Sequence, residues 1–139
     1  MFIKINEFDI ENVSISLDNM AIISEKDILV DAINKMQFFG HGICCIVNSN
    51  NELEGVLTDG DIRRLMLKFQ GPLSSLMVRN AIDFATKKPV CISPHSDFLE
   101  SLRLLQEKEI WDAPIVEKGK LVGLVHLHHV VGKLISSIE

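Results

Sequence analysis

An internal repeat constrains this chain more than any other feature. Ser24-Glu25-Lys26-Asp27 and Ser93-Pro94-His95-Ser96 each follow a short apolar run and open a segment of helical period. Leu29, Ile33 and Met36 recur at i, i+4 and i+7, and Phe98, Leu102 and Leu105 repeat that spacing, so each segment reads as a helix burying one stripe. Ser24 and Ser93 stand where N-caps would, Pro94 suits a first helical turn, and Asp27 after Ser24 resembles a capping box with Asp in place of Glu. Each helix is followed by a β-like run, Ile43-Cys44-Cys45-Ile46-Val47 and then Pro114-Ile115-Val116. A polar turn and a second strand come next, Leu53 to Leu57 and Leu121 to Val125. Each second strand carries a glycine, Gly55 or Gly123, where another backbone or a ligand approaches closely. A closing helix has apolar positions Ile62, Leu65, Met66 and Phe69 in one copy and Leu127, Val130, Val131 and Leu134 in the other.

The unit is therefore β-α-β-β-α, and one copy of about 50 residues buries too little apolar surface to stand alone. The expected fold is α+β, two repeats packed sheet to sheet with pseudo-two-fold symmetry. Residues 1–19 form an N-terminal segment, 20–70 the first repeat, 71–88 a linker whose run Leu73 to Val78 reads as a short docking helix, and 89–139 the second repeat.

With 47% hydrophobic and 24% charged residues in 139, the chain is neither disordered nor fibrous. A net charge of -5 opposes bulk attraction to nucleic acid or anionic membrane. No run reaches the length of a membrane span, and Lys4, Glu7, Asp9 and Glu11 fall where a signal peptide would be apolar, so the expectation is a soluble cytoplasmic protein. Cys44, Cys45 and Cys91 offer no disulfide framework and no CxxC knuckle, and read as buried reduced thiols. Phosphate-loop, dinucleotide, nucleophile-elbow and zinc-protease motifs are missing, and Asp59-Gly60-Asp61 lacks the further ligands of a calcium loop. No catalytic residue is assigned. The His126-Leu127-His128-His129 run invites a zinc reading, but a strand-to-helix turn need not make imidazoles converge and no Cys or carboxylate is spaced to help, so no metal site is expected. Trp111 precedes a strand and reads as a core or interface anchor rather than a base-stacking platform.

The stretch Glu54-Gly55-Val56-Leu57-Thr58-Asp59-Gly60-Asp61-Ile62-Arg63-Arg64 resembles the signature of the cystathionine-β-synthase (CBS) domain: glycine, apolar, any residue, Thr or Ser, two residues, Asp. With a second copy downstream, the resemblance covers Ala21 to Ile135. More narrowly, Thr58 to Arg64 together with Gly123-Leu124-Val125-His126-Leu127-His128 is similar to the C-terminal CBS pair of arabinose-5-phosphate isomerases of Kdo, hence lipopolysaccharide or capsule, synthesis. CBS pairs attached to some sugar nucleotidyltransferases carry a similar run. No isomerase catalytic residue carries over.

The resemblance implies a regulatory module, without a required cofactor, that senses a nucleotide such as AMP or ATP, or a CMP-sugar. It also implies homodimers through helix faces, with Leu65, Met66 and Leu134 as candidate apolar area. In the family pattern Asp61 accepts bonds from both ribose hydroxyls and Thr58 contacts the phosphate. A carboxylate suits a cis-diol because it only accepts hydrogen bonds, and the helix start beyond Thr58 favours an anion. A first-turn Asp favoured by the helix dipole, and a β-branched residue ending a strand, explain the same pair without a ligand. By position, Ile22, Cys44 and Cys45 would wall the base pocket in one copy and Cys91, Ala113 and Pro114 in the other, although core packing accounts for all six. Arg63 and Arg64 would reach a phosphate or acidic sugar, or serve only as surface charges. The second copy departs from the pattern, with His126 at the Thr position and His129 at the Asp position. A neutral imidazole accepts one hydrogen bond, so the first copy is expected to bind better. The rival reading is a module that only dimerises its parent enzyme around a vestigial pocket.

Overall fold

The computed structural model describes residues 4–138. A one-turn helix α1 (Ile10–Val13) leads into the first repeat: β1 (Ala21–Ser24), α2 (Leu29–Phe39), β2 (Ile43–Val47), β3 (Leu53–Thr58) and α3 (Asp59–Lys68). A short α4 (Leu73–Met77) precedes the second: α5 (Phe98–Glu107), β4 (Asp112–Glu117), β5 (Lys120–His126) and α6 (Leu127–Ser136). In the first sheet β1 pairs in parallel with β2 and β2 antiparallel with β3, and in the second β4 pairs antiparallel with β5.

The second repeat's first strand shrinks to one parallel bridge, Ile92 to Ile115, held by Ile92 N to Pro114 O and Val116 N to Ile92 O, both 2.9 Å. Pro114 is the cause. It has no N–H to give the next carbonyl, so the ladder stops where β1 and β2 continue theirs. The helices also start later than the serines suggest. Ser24 and Asp27 close a turn, with Asp27 Oδ2 accepting from Ser24 N at 2.7 Å, and α2 begins beyond it on Ile28 with no side-chain cap. Ser93 Oγ likewise accepts from His95 N within a turn, and the cap of α5 is Asp97, which accepts from Glu100 N at 3.0 Å.

The two glycines admit backbone. The segment ahead of each repeat crosses to the other repeat's sheet: Ile15 exchanges two hydrogen bonds with Leu124 of β5, and Thr86 exchanges two with Val56 of β3. A Cβ on Gly123 would lie 2.9 Å from Ile15 O, and one on Gly55 would lie 3.0 Å from Thr86 O. The repeats are thereby laced together as well as packed.

Adjacent residues of β2 face opposite ways, so Cys44 and Cys45 separate two cores. Cys44 joins Leu29, Met36, Leu57 and Leu76 of α4 in the core of the first repeat. Cys45 joins Ile15, Ile43, Val56, Leu121 and Leu124 in a core shared between the sheets. A third cluster in the second repeat unites Phe98, Leu105, Ile115 and Val130 with Ile10 and Val13 of α1. Burial pushes the Cys44 thiol up to about 12 and raises Cys45 as well, so both stay protonated. Cys91, expected to be buried, is exposed. On α3 and α6, Ile62, Leu65, Phe69, Leu127, Val130 and Leu134 turn inward, whereas Met66, Leu67, Val131 and Ile135 are exposed. The free apolar area on these helices therefore differs from the Leu65, Met66 and Leu134 expected, because the helical stripe rotates both leucines into the core. Among the described residues no helix is long and apolar enough to cross a membrane.

Candidate functional site

Both strand-to-helix junctions open onto a cleft of about 620 Å³ between the repeats, where Thr58, Asp59, Arg63 and Arg64 face Trp111, Asp112, His126 and His128. Trp111 is 72% exposed, so it anchors no core and stands at the cleft wall. The first junction is a complete capping box. Thr58 Oγ1 accepts from Asp61 N at 3.1 Å, and Asp61 Oδ2 accepts from Thr58 N at 3.0 Å. Arg64 donates to the other carboxylate oxygen at 2.9 Å. Asp61 is left 16% exposed beneath an Arg64 side chain that is 56% exposed.

The second junction is wired across the sheet. His126 begins α6 without a side-chain cap, and its Nδ1 lies 2.6 Å from Asp112 Oδ1. An ionised Asp112 only accepts, so His126 Nδ1–H donates to it. Asp112 is 9% exposed; burial pushes its carboxyl above the usual range, partly countered by the His126 hydrogen bond. The register explains the contrast. Ile43 stands opposite Thr58 in the first sheet, and Asp112 stands opposite His126 in the second. His41, just ahead of β2, lays its ring 4.7 Å from that of His126. Burial holds His41 below the ordinary imidazole value, helped by His126 and opposed by Asp112. His129, on the first turn of α6, is also held low, by burial first and Lys133 next.

Thr58, Arg63, Arg64 and His126 thus meet at one cleft, which neither Asp61, covered by Arg64, nor His129 lines. Cys44, Cys45, Ala113 and Pro114 do not line it; all four are buried in the interior. Ile22 borders a separate groove of about 360 Å³ with Lys26, Lys35 and Asn48. Among the described residues no group of three or more His, Cys, Asp or Glu is arranged to hold a metal ion. His41 and Asp112 escape a reading of the sequence because neither belongs to the repeated motif. The capping box of Thr58 and Asp61 was missed as well, although the Thr-x-x-Asp spacing is its signal.

The CBS domain family matches residues 12–68 and 81–136, which span both junctions and the strands that carry them. This chain belongs to the CBS-domain family. The solved structure of CBSX2 in complex with AMP superposes on the CBS pair with a TM-score of 0.80 and 21% identity, covering 93% of this chain and 97% of that one. An uncharacterized protein of Helicobacter pylori strain J99 is 31% identical over 134 residues, which is 94% of this chain and 37% of the relative. The arabinose 5-phosphate isomerase GutQ of Salmonella typhi is 29% identical over 103 residues, 71% of this chain and 30% of the isomerase. The chain spans 28% to 38% of the length of the curated relatives it matches. The two CBS repeats form a module of the regulatory kind.

Proposed function

We propose that this CBS pair senses a nucleotide or a nucleotide-activated sugar and regulates an attached or partner sugar-phosphate enzyme, an arabinose 5-phosphate isomerase above all. The observation that carries this reading is the inter-repeat cleft, where two guanidiniums, a helix start and an exposed indole converge. Such a set suits a phosphorylated ligand with an aromatic base: Arg63 and Arg64 for the phosphate, Trp111 for the ring. The AMP held by CBSX2 supports the ligand class, and the likeness to GutQ supports the enzyme. Ligand hydroxyls take the place of Arg64 on Asp61, and the freed guanidinium meets the phosphate. Regulation then follows from unequal affinity for two arrangements of the repeats.

The test is a calorimetric panel of AMP, ATP and a CMP-activated acid sugar on wild type and Asp61→Ala. Binding by one ligand class, weakened in the variant, is the expected result; equal binding by both proteins removes Asp61 from the site. The second reading, a homodimerisation module with a vestigial pocket, draws on the exposed Met66, Leu67, Val131 and Ile135 of α3 and α6. A dimer by light scattering that binds none of the panel would favour it. A CBS pair serving a sugar nucleotidyltransferase gives the same cleft result and differs only in the enzyme it modulates.

A further inference from the structure

Two cavities adjoin one imidazole pair. The larger, about 620 Å³, is lined by His126, Asp112 and Trp111, and the smaller, about 310 Å³, by Ile33, Gln37 and His41. Gly42 and Asp59 border both. His41 of the first repeat, which lines the smaller, lies against His126 of the second, which lines the larger, ring centroids 4.7 Å apart and planes inclined by 53°. Chain geometry fixes His41 there: Gly40 ends α2 at φ 78°, and β2 starts at Ile43. The Nδ1 of His41 is buried and has no hydrogen-bond partner. A neutral ring tolerates a bare ring nitrogen at modest cost, whereas a charged ring needs acceptors or water at both nitrogens.

The charged surroundings come from every neighbouring element. Asp59 of α3 and Asp112 of β4 crowd Gly42, whose added Cβ would lie 3.0 Å from Asp59 Oδ2 and 3.8 Å from Asp112 Oδ2. His126 ends β5 and is already bonded to Asp112, with the His128 ring 6.2 Å beyond it. His129 and Lys133 stand on α6, and Arg63, Arg64 and Glu109 line the rest of the larger cavity. We propose that the His41–His126 pair is a proton-operated gate between the two cavities. With His41 neutral the rings stay in contact and the cavities are separate. A proton on His41 places positive charge against His126 with nothing to receive the Nδ1 hydrogen, so the ring leaves for water or for Asp59 and the cavities join. Burial, with His126 next, keeps His41 below the ordinary imidazole value, which closes the gate at neutral pH and opens it in mild acid. No ligand is required.

Trp111, the only tryptophan, lines the larger cavity beside Asp112 and reports on the pair. Unliganded wild type, titrated from about pH 8 to about pH 5, is expected to show a transition in Trp111 emission with its midpoint below the ordinary imidazole value of about 6.5. His41→Gln and His41→Phe, which cannot take the proton, are expected to give flat profiles. In parallel, NMR of the histidine rings of wild type is expected to show His41 titrating with the emission midpoint; this needs no variant to fold. A flat wild-type profile, a transition that persists in both variants, or a His41 midpoint at or above 6.5 overturns the gate.

Discussion

At the end of β3, Thr58 turns its hydroxyl along the chain and closes a capping box with Asp61, whereas at the end of β5 His126 turns its ring across the sheet to Asp112. The backbones match, with each residue ending a strand, starting a helix and facing one partner in register, Ile43 or Asp112. The difference lies in that partner and in the motif itself, which has His126 and His129 where the first repeat has Thr58 and Asp61. An apolar Ile43 makes no claim on the Thr58 hydroxyl, which is left to satisfy a helix N–H. A nearly buried carboxylate needs a donor, claims the imidazole, and leaves α6 without a side-chain cap. Changes within the motif and in the residue facing it have thus turned a helix-capping site into a titratable one.

If the comparison holds at the level of chemistry but not of folding, the two repeats should still unfold together. Leu57 belongs to the core of the first repeat and Leu124 to the core shared between the sheets, and both are fully buried. Truncating either to Ala is expected to cost about 2 to 5 kcal/mol. Urea unfolding followed by Trp111 emission and by far-UV circular dichroism should give one coincident transition in both variants. Two separated transitions in Leu57→Ala would mean that the Ile15 and Thr86 crossings do not lace the repeats into one unit.

The junctions themselves should separate by size and by pH. His126→Ala strands the Asp112 carboxylate, a loss of about 1 to 3 kcal/mol at neutral pH. Thr58→Ala removes one capping bond from a partly exposed helix start and should cost about 1 kcal/mol. The pH dependence distinguishes them further. Burial already raises the Asp112 carboxyl, and without His126 its raised value lets the folded state bind the proton more readily than the unfolded chain does. The His126→Ala deficit should therefore shrink as pH falls through the carboxylate range, while that of Thr58→Ala should hold steady. Denaturation midpoints for both variants across that range would expose a reversed order.

The repeat, its helical stripes and the paired glycines were legible because they rest on periodicity and on steric need. Thr58 and Asp61 stood out as a ligand motif, but that their spacing also serves a capping box emerged only from the structure. Three features were not legible, and each depends on contact across distance. The Ile92 strand shrinks because Pro114 lacks an N–H on the facing strand. Asp112 matters because register sets it opposite His126, and His41 matters because the repeats bring it against the same ring. Trp111, read as a core or interface anchor, is exposed at the cleft wall and so anchors no core.

The smallest expected effect on stability, and the most telling for function, belongs to Arg64. Its pair with Asp61 is spaced i, i+3 on the helix surface with the guanidinium side chain more than half exposed, so Arg64→Ala should change stability by only about 0 to 0.5 kcal/mol. If Arg64 merely screens Asp61, its removal uncovers the carboxylate and a diol-bearing ligand should bind as tightly as before or more so. If the guanidinium moves to the phosphate, AMP affinity should fall by about tenfold, while the affinity of a nucleoside without phosphate should hold or rise. Titrating wild type and Arg64→Ala with both ligands separates the two. A matched loss for nucleoside and nucleotide would contradict the exchange of Asp61 from Arg64 to ligand and mean that Arg64 holds a part of the ligand common to both.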